Sequence, residues 1–184
     1  VCCGTKREIE IDCPSTCKYL KASRSYEAEK PPNAPESVAK LKNYDDGFFE
    51  RHTHVLSAIN AAVVEERSSS PWLVDIDVIE AYKALGATMR TLSSGIYYES
   101  LPEGPVRLSL FRRLKGTFDE LMTPETAGNQ PILKASEAVA VLDFMGLIAQ
   151  LHSSVRPRSR RYLDWISETF GYSQPQQSGG LILP

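Results

Sequence analysis

All four cysteines of this 184-residue chain fall within its first 17 positions, as Cys2, Cys3, Cys13 and Cys17 in VCCGTKREIEIDCPSTCKYL. A disulfide framework distributes its cysteines through the domain it staples, so clustering this tight points to a local thiolate set. Zinc gathers four ligands in a tetrahedron with Zn–S near ~2.3 Å, which a chain achieves by bringing two close pairs together across a turn. Cys13-x3-Cys17 has the spacing of such a pair, and the adjacent Cys2-Cys3 does not. A zinc site at Cys2, Cys3, Cys13 and Cys17 is therefore expected, with iron as the other metal left open. A disulfide or redox pair and inert thiols stand beside it as alternatives. Four thiolates leave no coordination position for water or substrate, so a metal held this way is structural.

Between the pairs, Gly4 suits a tight turn, and REIEI over residues 7–11 alternates polar and apolar as a short strand does. Pro14 ends that pattern, and Pro14 or Ser15 is expected to start a helix that holds Cys17 in its first turn and runs through Tyr19, Leu20 and Lys21, its amide end favouring thiolate at Cys17. The chain starts at Val1 with no methionine, which predicts a fragment or a processed product and allows a further ligand upstream.

At these residues a likeness emerges. CCGTKREIEIDCPSTCKYL resembles the N-terminal module of a group of bacterial proteins with a CCG-x-KR…CP-x-x-C-x-YL pattern. TMRTLSSGIYYESLP is similar to a second block of the same group, with Tyr98, Glu99 and Pro102 at its centre. The resemblance implies a cysteine module joined to an all-helical domain, and it brings no activity, substrate or catalytic residue with it.

Past the first helix, EKPPNAPES concentrates prolines, so residues 29–45 are expected to be a linker between a cysteine knuckle at 1–28 and a helical domain at 46–171. In that domain Phe48, Phe49, His52, Val55, Leu56, Ile59, Ala62 and Val63 form one apolar stripe at helical spacing. A second helix, capped by Asp75 or Asp77, carries Val78, Ile79, Tyr82, Leu85, Met89 and Leu92 and ends at Gly95. Pro105 opens a third helix with Leu110, Phe111, Leu114, Phe118, Leu121 and Met122 on one face. Residues 123–131 are expected to form a loop. A nearly all-apolar fourth helix at about 133–154 is expected at the centre, and a last helix at about 159–170 presents Tyr162, Leu163, Ile166 and Phe170. Residues 172–184 read as a flexible tail, in which LIL is a candidate docking segment. The expected fold is all-α, an up-and-down bundle of four to five helices with a small knuckle of strand or hairpin plus helix.

A hydrophobic content of 42% with 24% charged residues excludes disorder throughout, and a net charge of −2 excludes the strong basic field of a nucleic-acid coat protein. No apolar run reaches the roughly 18–20 residues of a membrane span, so a soluble, cytoplasmic protein is expected. Nucleotide-binding and nucleophile-elbow motifs are lacking, which disfavours an enzyme. His52 and His54 are two apart and point away from each other on a helix, so both are assigned to surface hydrogen bonding. His152, at a helix end, is assigned to complementing the helix dipole as a cation. Arg90, Tyr97, Tyr98 and Glu99 form a polar cluster whose tyrosines are expected to bury their rings.

One run remains, VRPRSRRYLDW, where Arg156, Arg158, Arg160 and Arg161 crowd beside Tyr162 and Trp165. Guanidinium groups hold phosphates in pairs of hydrogen bonds, which makes this a candidate nucleic-acid or anion contact, although a solvated charged loop explains it as well. The sequence thus points to a non-enzymatic protein with a structural zinc, recognising a macromolecule that is more readily a protein than a nucleic acid. Nucleic-acid binding through residues 156–161 with the knuckle is one alternative, and a thiol redox sensor or enzyme is another.

Overall fold

Helical periodicity becomes helix almost wherever it runs. The computed structural model describes residues 2–28, 35–124 and 132–170. Its helices are α1 (Cys2–Thr5), α2 (Lys18–Ala28), α3 (Pro35–Leu41), α4 (Asp46–Ser69), α5 (Asp75–Ser93), α6 (Pro105–Met122), α7 (Ala135–His152) and α8 (Arg161–Phe170). No strand forms among the described residues, which are all-α.

Local chemistry sets the ends. Asp45 caps α4, its Oδ1 accepting from the Phe48 amide at 2.8 Å. Gly95 closes α5 with φ of 80° while its amide donates to the Leu92 carbonyl. Gly104, with φ of 93°, turns the chain into Pro105 at the first position of α6, where a missing N–H costs nothing. At α7, Glu137 reaches back to accept from the Lys134 amide at 2.9 Å.

The apolar stripes meet in one core. Val55, Ile59 and Val63 of α4, Val78, Leu85 and Met89 of α5, Leu110, Leu114 and Phe118 of α6, and Val141 and Ala149 of α7 are buried together. Spatial order only partly follows chain order: α4 packs mainly on α6 and α8, whereas α5 packs on its sequence neighbour α6 and most extensively on α7. The nearly apolar α7 also meets α3, α4 and α8, which explains why so little of its surface is polar. Tyr82 of α5 and Tyr162 of α8 bury their rings completely and satisfy their hydroxyls on each other at 3.2 Å.

Four expectations change at the front of the chain, the first being that the helix expected from Pro14 or Ser15 begins only at Lys18, so Cys17 precedes it. Gly4 lies inside the one-turn helix α1 and does not make a turn. Residues 7–11 form no strand: the amides of Ile9, Glu10 and Ile11 all donate to the Lys6 carbonyl, closing a tight loop. Five alternating residues have no partner strand to satisfy their backbone, so they satisfy it on themselves. The expected linker is also partly structured, because Pro35–Leu41 is helix α3, packed on α7, with Leu41 and Tyr44 against the core. Residues 29–34, most of the 123–131 loop and the 172–184 tail with its LIL segment lie outside the described residues.

Candidate functional site

The arginine run is not a free loop. It forms the floor on which the cysteine segment sits. Asp12 is paired by Arg160 through both carboxylate oxygens, Nη2 to Oδ2 at 3.2 Å. Arg160 also donates to the carbonyls of Leu73 and Pro71, so its fork is fixed from three sides. The Arg158 backbone amide donates to the Glu8 carbonyl at 2.9 Å, and its Nη1 donates to the Glu10 carbonyl at 2.7 Å. Arg156 lies 3.8 Å from Glu8 and 3.9 Å from Glu27, and Arg161 lies 3.9 Å from Glu27. All four arginines of the run therefore face acids or carbonyls of residues 8–27, and the solvated-loop reading is corrected.

A second layer locks this contact. Asp164 on α8 accepts from Ser15 Oγ at 2.7 Å, from Arg24 on α2 and from Arg67 on α4. Arg24 also donates to Glu8 at 2.9 Å, and Arg67 to Ser167 at 3.0 Å. Burial pushes the Asp164 carboxyl up, but the bonds from Arg24, Ser15 and Arg67 outweigh it and leave it below its ordinary range. Asp12 is held down chiefly by its hydrogen bond to Arg160. Glu8 adopts φ of 55°, a left-handed conformation that costs a non-glycine residue about 1–2 kcal/mol. The Arg24 pair and the Arg158 amide bond hold it there.

Cys13 and Cys17 flank the turn pinned by this network. Ser15 lies between them, the Cys17 amide donates to the Pro14 carbonyl at 2.9 Å, and the Cys17 carbonyl accepts from Lys21 as α2 begins. Both thiols are free and partly exposed, and Cys3 is free and exposed. Cys2 opens α1, and its side chain lies outside the described residues. Among the described residues, no group of three His, Cys, Asp or Glu side chains is arranged to hold a metal ion.

The other candidates go to separate places. His52 is buried, its ring 4.8 Å from that of Phe48 in an aromatic cluster with Tyr44, Phe49 and Phe144, so its surface assignment is corrected. Burial lowers its pKa. His54 is exposed. His152 stacks on Trp165 at 3.9 Å, and burial, with Arg161 nearby, pushes its pKa down. That favours a neutral ring, against the cationic role assigned at the helix end. Tyr97 and Tyr98 are exposed and do not bury their rings. Tyr97 donates to Glu99, whereas Arg90 turns away to Asp143 on α7, so this cluster does not converge.

One buried group escaped the sequence reading. Asp75 does not cap its own helix; there, Asp77 accepts from the Val74 amide. Asp75 caps α8 from a distance, accepting from Ser159 Oγ at 2.7 Å and from the Tyr162 and Leu163 amides at 3.2 Å. Its own amide donates to the Ser159 carbonyl at 2.8 Å, so helix and cap hold each other. The signal available was negative: Arg160, just before α8, has no side-chain oxygen with which to cap it.

Burial pushes the Asp75 carboxyl from 3.8 to about 6, with the bonds from Ser159, Tyr162 and Leu163 opposing and Asp164 adding to the rise. A raised native pKa means that the fold gains stability as Asp75 takes up a proton. The gain is complete below the unfolded value and lost as pH rises through 6. Asp75→Asn should therefore cancel a pH-dependent difference of at most about 3 kcal/mol between pH 4 and pH 7. Urea titrations of both proteins across that range check it, and parallel stability curves for the two would contradict it.

Comparison of the chain with protein-family models, with curated proteins and with solved structures finds no match.

Proposed function

We propose that this is a non-enzymatic interaction protein whose docked cysteine segment binds one structural zinc ion and presents it to a protein partner. The observation that carries the reading is the Ser15–Asp164 bond: the turn holding Cys13 and Cys17 is anchored to a residue 149 positions away. A turn anchored in this way supports two thiols at the spacing of one ligand pair, and Cys2 and Cys3 on the one-turn helix α1 would move toward it to supply the remaining thiolates. Partly exposed thiols and the exposed Tyr19 at the start of α2 leave this side open to a partner. A nucleic-acid partner is disfavoured because the guanidiniums of Arg156, Arg158 and Arg161 face acids and carbonyls of the same chain, so the run does not offer a row of free cations to track a phosphate backbone.

Cobalt titration of the reduced, full-length chain tests this. A thiolate-to-metal absorption band saturating at one equivalent is expected, with affinity falling about a hundredfold or more in a Cys13→Ser, Cys17→Ser double variant. No band, or a band indifferent to those substitutions, would end the zinc reading. A cysteine pair that oxidises rapidly in the absence of metal would favour the redox alternative instead.

A further inference from the structure

The cysteine turn does not close flush against the bundle. A cleft of about 290 Å³ remains between them, with Asp12, Pro14 and Ser15 on one side and Arg67, Leu73 and Arg160 on the other. Its charged groups are unequal in exposure: the Arg160 side chain is 12% exposed, whereas Asp12 is 36% exposed. The guanidinium is fixed by the Leu73 and Pro71 carbonyls and does not depend on Asp12 for its position. Across the whole contact, the guanidiniums of Arg24, Arg67, Arg156, Arg158, Arg160 and Arg161 outnumber the carboxylates of Glu8, Asp12, Glu27 and Asp164, leaving two positive charges over.

We propose that this cleft is a binding site for a phosphate-type oxyanion, in which Asp12 is the resident intramolecular competitor. A carboxylate offers the Arg160 fork two oxygens and one negative charge. A phosphate or phosphomonoester offers the same two-oxygen edge and up to twice the charge. The exposed Asp12 gives way by rotating its side chain outward, while the Ser15–Asp164 bond keeps the turn in place. This inference does not depend on metal binding by the cysteines, and its test involves no metal.

The experiment follows the Arg160 side-chain Nε–H by NMR in the full-length protein during titration with inorganic phosphate and with methyl phosphate, against sodium chloride at equal ionic strength. Both oxyanions are expected to shift the signal where chloride does not. Asp12→Asn, which keeps the shape and removes the competing charge, is expected to tighten phosphate binding by about tenfold. Adding Arg160→Lys to that variant is expected to abolish it. Methyl phosphate matching inorganic phosphate assigns the site to an esterified group, and its exclusion assigns the site to the free ion. An Arg160 signal that responds equally to chloride and phosphate in the unmodified protein would overturn the proposal without recourse to any variant. So would an Asp12→Asn protein that binds phosphate no more tightly.

Discussion

Asp164→Ala is expected to destabilise the protein by about 3 kcal/mol, the lower end of the range for removing one partner of a buried ion pair. The carboxylate is 12% exposed and accepts from Ser15, Arg24 and Arg67, groups contributed by the cysteine turn, α2 and α4. Its loss leaves Arg67 facing Arg24 with no anion between them, a repulsion added to the cost of two under-satisfied guanidiniums. Arg24 keeps Glu8, and Arg67 is a quarter exposed, which is why the lower end applies. Asp164→Asn keeps an acceptor oxygen and should lose less. Urea unfolding measures the stability change, and thiol labelling shows where it acts: Cys13 and Cys17 should become markedly more reactive in Asp164→Ala. Unchanged stability together with unchanged labelling would show that the contact contributes nothing.

Asp75→Ala is expected to cost about 2–4 kcal/mol through a different mechanism. The two backbone amides at the start of α8 lose their acceptor in a buried position, and Ser159 loses its partner with them. The cost should be larger at pH 5 than at pH 8, because Asp75 becomes a better buried group once protonated below about 6. Denaturant unfolding at the two pH values checks both the size and the sign. Hydrogen exchange should localise the damage to residues 161–170, and a uniform loss across all helices would contradict a capping role.

Much of the helical architecture was legible because it is written locally. The apolar stripe from Phe48 to Val63, Pro105 at the start of α6 and Gly95 after α5 each act within a few residues of themselves. The nearly apolar run expected at 133–154 is α7, shorter by two residues at each end. Opaque instead were interactions between residues far apart in sequence. The partners of Arg160 and Arg158 lie 148 residues upstream, so the run at 156–161 looked like a solvated loop, although its charges are answered by Asp12 and by the Glu10 carbonyl. Asp75 looked like the cap of its own helix because nothing in the local pattern distinguishes capping α5 from capping α8. At residues 7–11, alternation alone suggested a strand, and a strand needs a partner that these residues lack. For the candidate site, sequence singled out the cysteines and the arginines separately. That Asp12, Glu8 and Ser15 join them was beyond periodicity and spacing.

The central claim is that the cysteine segment is clamped to α8 and to the arginines just before it by partly buried ion pairs, with Arg67 of α4 bracing the shared Asp164, and does not ride on the bundle as an independent module. Amide hydrogen exchange of the unmodified chain, in low and in high salt, tests it most directly. The amides of α2 and of Arg158, which donates to Glu8, are expected to exchange thousands of times more slowly than an unstructured peptide in low salt and to lose part of that protection as salt screens the partly exposed pairs. Exchange of residues 18–28 at unstructured rates, while α5 and α7 stay protected, would contradict the clamp.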